Sequence, residues 1–373
     1  MDPSATPPDP TPSPAPPPPP QASILRHFSP AWFAAVMGTA VIPLAISFLS
    51  VGIVRPVAAV FTGLSALMFV GLLVPWTLRF FLHPEEVRRD LDHPVAANFF
   101  PTMPISLIVI ALDLLKFPDL FFAEGTSRRI AFALWLVGTI GIYLMGFIVL
   151  PRVYRHEGIE VQHANFGWYI PPVSKLLIPV AGLELAAIYP DRFELTFGIS
   201  MASLGIGFFL FVFVGATVYH RYVFQALPAS RLAATSFIGI APTAIIAVVL
   251  FKLIALMDAS PVTGLDAAAV ETLATLGILV AWGFAAWAFV MAVVIVGSYV
   301  RRLDLPYALS WWAFTFPTGA LAVATGVAWK ATGFGWIHGS YRASVIVLLA
   351  IWLVVAVNTV RGVVSRKVFV PSH

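Results

Sequence analysis

The chain has 373 residues, 59% of them apolar and only 11% charged, with a mean hydropathy of +0.90; soluble domains carry roughly 25% charged residues, and no soluble fold of this length could hide so much apolar surface. The formal net charge of +4 does not mark a nucleic-acid binder, because Lys and Arg stand singly or in pairs between apolar runs and read as topology signals of a membrane protein. Cysteine is absent, which excludes disulfides, thiolate metal sites and cysteine nucleophiles.

The first segment, 1–27, carries Pro7, Pro8, Pro10, Pro12, Pro14 and the run Pro16 to Pro20, a composition that predicts a disordered or polyproline II tail. Its acidic start is not that of a signal peptide, so the first apolar run is expected to be retained. A bilayer core asks for about 20 apolar residues per helix. Charge-free stretches of that order follow at 29–54, 56–78, 94–112, 130–150, 195–219, 232–251, 272–300, 305–329 and 343–360. A further segment, 169–189, is interrupted by Lys175 and Glu184 but fits no other role. The prediction is ten spans in one transport domain, 28–365, with a short tail at 366–373. Sorted by alternate loops, thirteen basic residues fall on the side of the N-terminus, among them Arg79, Arg88, Arg152, Arg155 and Arg221, and seven on the other. Basic loops are retained inside, so both termini are expected in the cytoplasm of a plasma (inner) membrane.

Proline in a helix removes a backbone hydrogen bond and clashes with the preceding turn, so its distribution carries information. Pro43, Pro104, Pro179, Pro242 and Pro317 fall inside the first, third, fifth, seventh and ninth spans, whereas the even spans have no interior proline beyond Pro75 near the end of the second. The alternation predicts five hairpins, each a kinked helix followed by a straight one. Unpaired backbone groups in lipid need protein or a water-filled cavity, which puts the kinked helices in an inner ring around a central pore. Gly38, Gly182, Gly239 and Gly319 near the bends would let backbone line a narrow passage.

An intramembrane enzyme would need a nucleophile with its base, or metal ligands at workable spacing. His83 and His93 share one loop, His156 and His163 another, and the remaining histidines are isolated, with no HExxH-like pair. No catalytic residue, metal site or cofactor is expected.

The ninth span reads Ser310-Trp311-Trp312-Ala313-Phe314-Thr315-Phe316-Pro317-Thr318-Gly319-Ala320, which resembles the WWSYTFP-type stretch of plant slow-type anion channels. His93-Pro94-Val95 with Asn98-Phe99-Phe100 resembles the entry to their third span, and Leu227-Pro228-Ala229-Ser230 the approach to their seventh. Phe28-Ser29-Pro30-Ala31-Trp32-Phe33 and Met37-Gly38-Thr39 are more similar to the first span of dicarboxylate and sulfite members of the same superfamily. Together these resemble the tellurite-resistance/C4-dicarboxylate transporter family, which includes the slow-type anion channels, over residues 28–365. The resemblance implies a pseudo-fivefold ring of ten helices, a pore through each protomer, a homotrimer and a pore-blocking phenylalanine, carried here by Phe316. Small inorganic or organic anions are the implied cargo.

Lys175 and Glu184 in the fifth span depart from the channel pattern. Intramembrane charges by default mark function, and nine positions at ~1.5 Å per residue set these two about 13 Å apart, suited to opposite mouths of a bent helix. Each could equally snorkel to its own interface. Asp113 with Lys116, and Lys252 with Asp258, are read as snorkelling residues near span ends. Channels and proton-coupled carriers of dicarboxylates or sulfite share the family, so the sequence leaves both mechanisms open, with Glu184 as the discriminating acid.

Overall fold

The computed structural model describes residues 24–155, 157–260, 262, 264–366 and 368. Nearly all of the proline-rich tail, together with His156 and most of the C-terminal tail, lies outside these residues. The described chain is helical with no strand: α1 Phe33–Ile46, α2 Val54–Leu82, α3 Pro84–Asp92, α4 Thr102–Lys116, α5 Glu124–Arg155, α6 Ile170–Ile188, α7 Phe193–Phe224, α8 Ala241–Ala259, α9 Ala267–Arg301, α10 Thr315–Thr332 and α11 Gly335–Val364.

Two kinds of helix alternate. α2, α5, α7, α9 and α11 run 29 to 35 residues, and only 17–28% of the apolar window of each is buried. Their remaining surface is large and apolar, as at Leu67, Phe147, Phe213, Val280 and Ile346, which is stable only against lipid. Each keeps one narrow buried stripe at helical spacing. In α7 it is Thr196, Ser200, Ser203 and Gly207, small residues that let a neighbouring backbone approach closely.

The second kind is short and enclosed. α1, α4, α6, α8 and α10 span 14 to 19 residues, and 61–94% of the window is buried for α4, α6 and α8 with their leading turns. Each is preceded by a 3-10 segment: Pro30–Trp32, Ala96–Phe99, Phe166–Tyr169, Ser230–Ile240 and Leu309–Phe314. The bends expected at the five prolines are therefore mainly changes of helix type. Pro43 and Pro179 stand inside α1 and α6, but Pro104, Pro242 and Pro317 lie in the first turn of their α-helices. There the missing N–H has no intrahelical partner to lose. The fourth span is also not free of proline, since α5 continues to Arg155 and takes in Pro151.

Consecutive helices pair as α1 with α2, α4 with α5, α6 with α7, α8 with α9 and α10 with α11. Among the short helices, α1 contacts α4, α4 contacts α6, α6 contacts α8, α8 contacts α10, and α10 contacts α1. Among the described residues, eight helices, taken with their leading turns, are long and apolar enough to cross a membrane, and Pro30–Ile46 is a shorter apolar one. The chain is a multi-pass membrane protein. The first apolar run does not stay helical to residue 54, because α1 stops at Ile46, eight residues before α2 begins.

Hydropathy gave no sign of α3, a short amphipathic helix between the second and third apolar runs. Pro84 opens it and Glu85 and Glu86 occupy its first turn, the arrangement favoured at a helix N-terminus. Buried Glu86 pairs with Arg26 and Arg89, each at 2.7 Å. Arg79 of α2, 3% exposed, pairs with Asp90 at 2.7 Å and donates to the Arg26 carbonyl at 3.1 Å. These bonds fasten the segment leading into α1 onto α3.

Candidate transport site

Phe316 occupies the second position of α10 and is 7% exposed. Its direction follows from what its neighbours touch. Thr315, Gly319 and Gly326 form one stripe against α1 and the turn that follows it: a Cβ on Gly38 would overlap the Thr315 hydroxyl, one on Gly319 would overlap Val41, and one on Gly326 would meet Phe48 at 2.7 Å. On one side of that stripe are the contacts to long helices, Thr325 accepting from Trp282 of α9 at 3.0 Å and Trp329 stacking on His338 of α11 at 3.9 Å. At about 100° per residue, Phe316 falls on the other side, turned away from α9 and α11. Gly38 and Gly319, expected to line a passage, instead face each other's helices and set the close approach of α1 to α10.

The turn before Phe316 is fixed from the 3-10 segment that leads into α8. Phe314 meets Phe237 edge-on at 4.9 Å, and the Ser310 hydroxyl donates to the Arg231 carbonyl at 2.6 Å. The 3-10 leaders of α8 and α10 are thereby held side by side, and Pro317 follows with its fixed φ one position after Phe316.

At the opposite ends of the short helices the charges gather. Glu184 of α6 accepts a hydrogen bond from Lys252 of α8 in a direct ion pair. Lys116, at the end of α4, lies within electrostatic range of Lys252, Glu184 and Lys330, the last near the end of α10. Lys116 also sits over the Phe48 ring at 5.5 Å and Lys330 over Trp329 at 4.6 Å. Four short helices thus contribute three lysines and one glutamate, alongside Asp113 and Asp258 in the last turns of α4 and α8, and the lysines offset helix C-terminal carbonyls that alone would repel anions.

Lys175 and Glu184 are not brought together. Lys175 is 5% exposed and reaches toward Gly146 of α5, on the side of α6 that meets the long helices. Two residues read as snorkelling have other roles: Lys252 is the partner of Glu184, and Asp113 is fully buried, accepting from Thr62 of α2 at 3.2 Å. Both misreadings treated each charge by its distance from a span end, whereas the packing of α6 on α8 and of α4 on α2 decides its partner. No group of three or more His, Asp or Glu suited to a metal ion occurs among the described residues.

The family model described as voltage-dependent anion channel (SLAC1) matches residues 27–360. The chain belongs to that family. An uncharacterised transporter of Methanocaldococcus jannaschii is 32% identical over 93% of this chain and 96% of its own length. A malic acid transport protein of Schizosaccharomyces pombe is 22% identical over 79% of this chain and 68% of its own. A sulfite efflux pump of Arthroderma otae is 24% identical over 92% and 93%. The family is described as one of anion channels, and these relatives are named as transporters and as an efflux pump, so membership places this chain among anion-transport proteins. The resemblance read from the ninth span and from the first is thus one family relationship running along nearly the whole sequence.

Proposed function

We propose that the protein conducts small anions through a pore enclosed by α1, α4, α6, α8 and α10, with Phe316 as its gate. In this reading all five hairpins cross the plasma (inner) membrane, giving ten spans in a pseudo-fivefold ring. Residues 28–365 form the transport domain, both termini are cytoplasmic, and three copies assemble as a homotrimer. The observation that carries the reading is the succession of enclosed short helices whose contacts return to their start; the buried Phe316 on the side of α10 away from α9 and α11 supports its place as the gate. Pro43, Pro104, Pro179, Pro242 and Pro317 recur once per short helix and favour the same assembly. A buried ring beside a change of helix type closes an apolar constriction by steric block and dewetting. Lys116, Lys252 and Lys330 attract anions to the outer mouth.

Current through reconstituted protein in a planar bilayer tests the gate. Phe316→Ala is expected to raise chloride or nitrate current about tenfold or more, the gain from taking ~1.4 kcal/mol off a permeation barrier. A folded variant with unchanged current would move the constriction elsewhere.

The names of the malic acid and sulfite relatives support a second reading, a proton-coupled carrier of a C4-dicarboxylate or sulfite in which the Glu184–Lys252 pair opens and closes with protonation. Liposomes holding a pH-sensitive dye separate the two under inward gradients of chloride, malate or sulfite. A channel passes anions without stoichiometric proton entry. Acidification that exceeds protein-free liposomes and disappears in Glu184→Gln would overturn the channel reading.

A further inference from the structure

Lys175 is a cation that the proposed transport route leaves unused. It lies within the apolar helix Phe166–Ile188 and is 5% exposed. Among the described residues it forms neither an ion pair nor a hydrogen bond. Its ammonium is lodged against α5, where a Cβ on Gly146 would come within 2.8 Å of Nζ and 3.5 Å of Cε; the glycine leaves the room that the end of the side chain occupies.

α5 and α7 both pack on α6, and between them runs a groove of about 340 Å³ whose walls include Gly146 and Lys175 themselves. At one end the Tyr143 and Ser203 hydroxyls, 2.8 Å apart, tie α5 to α7. The walls are mostly apolar, as at Leu150, Leu210 and Val214, and no Asp or Glu lines them. Phe147, Tyr154 and Phe213 on the rim are each at least 64% exposed, so the groove opens sideways onto the lipid-facing surface.

A lone cation at membrane depth is costly unless it is paired, and the groove supplies no carboxylate. Gly146 stands six residues before Arg152, about 9 Å along the helix at ~1.5 Å per residue, which sets the ammonium below the basic residues that mark the end of α5. A small inorganic anion there would meet the charge and leave the apolar walls without a partner. A diacyl phospholipid would have to draw its glycerol backbone and both chains below headgroup level. A single-chain carboxylate satisfies the cation and the walls together. We propose that the groove binds one long-chain fatty acid from the bilayer, its carboxylate on Lys175 Nζ and its chain along Leu150, Leu210 and Phe213. Because Lys175 faces α5, the site stands whether the transport route is that of a channel or of a carrier.

Delipidated protein in detergent at about pH 8, where carboxylic acids are ionised, is titrated with oleate or with methyl oleate, which has the same chain and no charge. Melting temperature and native mass spectrometry are the readouts. Oleate should raise the melting temperature and remain as a discrete adduct, and methyl oleate should bind about tenfold more weakly, the loss expected for one charge-assisted hydrogen bond. In Lys175→Met the two ligands should bind equally, a result that damage to the fold does not mimic. Leu210→Trp, which fills the groove and keeps the cation, should weaken both. Equal binding of the two ligands by the wild type, or a preference for oleate retained in Lys175→Met, would overturn the proposal. So would stabilisation by acetate that matches oleate, which would make this a small-anion site, or displacement of oleate by equimolar phosphatidylglycerol, which would give the groove to a phospholipid. Undiminished oleate binding in Leu210→Trp also sinks it, and dissociation of the oligomer in that variant would then assign the groove to a second copy of the chain.

Discussion

Glu184 stands among Lys116, Lys252 and Lys330 with Lys252 as its direct partner, and its side chain is 23% exposed. Removing its charge leaves Lys252 without its direct acidic partner and makes this end of the short helices more positive. Glu184→Gln is therefore expected to raise anion conductance about twofold at ~10 mM salt, where the Debye length is about 30 Å, and to change it little at ~1 M, where it is about 3 Å. Lys252→Met should lower conductance with the same salt dependence. Single-channel recordings across that range check both, and a salt-independent change would place the pair within the permeation path itself. Nothing in the sequence joins these two residues, which lie 68 positions apart. Sequence marks Glu184 as unusual because an acid interrupts an apolar run, but its partner depends on which face of α6 meets α8.

At the scale of elements, the attachment of α3 carries a pH dependence. The Arg26 side chain hydrogen-bonded to Glu86 holds its carboxyl below the ordinary value of 4.5, with Arg89 acting in the same direction. A lowered native pKa stabilises the folded arrangement at pH values above the unfolded pKa and is lost as pH falls through the native one. The α3 attachment is thus expected to hold at pH 5 to 8 and loosen below about pH 4. Hydrogen exchange of residues 84–92 should rise sharply in acid, and Glu86→Gln should bring that rise to neutral pH. The seam between α1 and α10 makes a second prediction. Gly319→Ala drives a methyl into Val41, an overpacking that costs about 1–3 kcal/mol, and Val41→Ala should restore much of the lost melting temperature. The helix alternation was legible because every short helix contains proline, α6 three of them. The 3-10 leaders were not, since proline inside a kinked helix and proline at the first α-helical turn leave the same mark in a sequence.

Across the whole molecule, selectivity should follow dehydration. The mouth offers lysines spread over three helices rather than a convergent set of ligands, so attraction is long-ranged and unspecific. Permeability is expected to rank iodide and nitrate above chloride, and chloride above fluoride, in reversal-potential measurements. The opposite order would require a dedicated binding site. Composition was enough to read the class of molecule, because apolar residues this numerous have nowhere to go but lipid. The family was legible from the ninth span, where bulky aromatics crowd a single turn. Which face each short helix turns inward was not legible, because their sides are almost uniformly apolar and only the packed neighbours distinguish them.

The seam of α1 with the last hairpin joins residues made at opposite ends of synthesis. Tyr341 donates to the Ala45 carbonyl across 296 positions and Trp352 donates to Thr39 across 313, while Gly38 and Val41 wait for Thr315 and Gly319. During biogenesis α1 must therefore stay in the membrane with the small-residue face that will receive α10 still vacant. Ribosome-bound chains truncated before residue 315 should leave that face open to crosslinking by insertion factors, and release of the full chain should close it. Phe316 acquires its place only in this final closure, so an incompletely made chain lacks the arrangement proposed to form the gate.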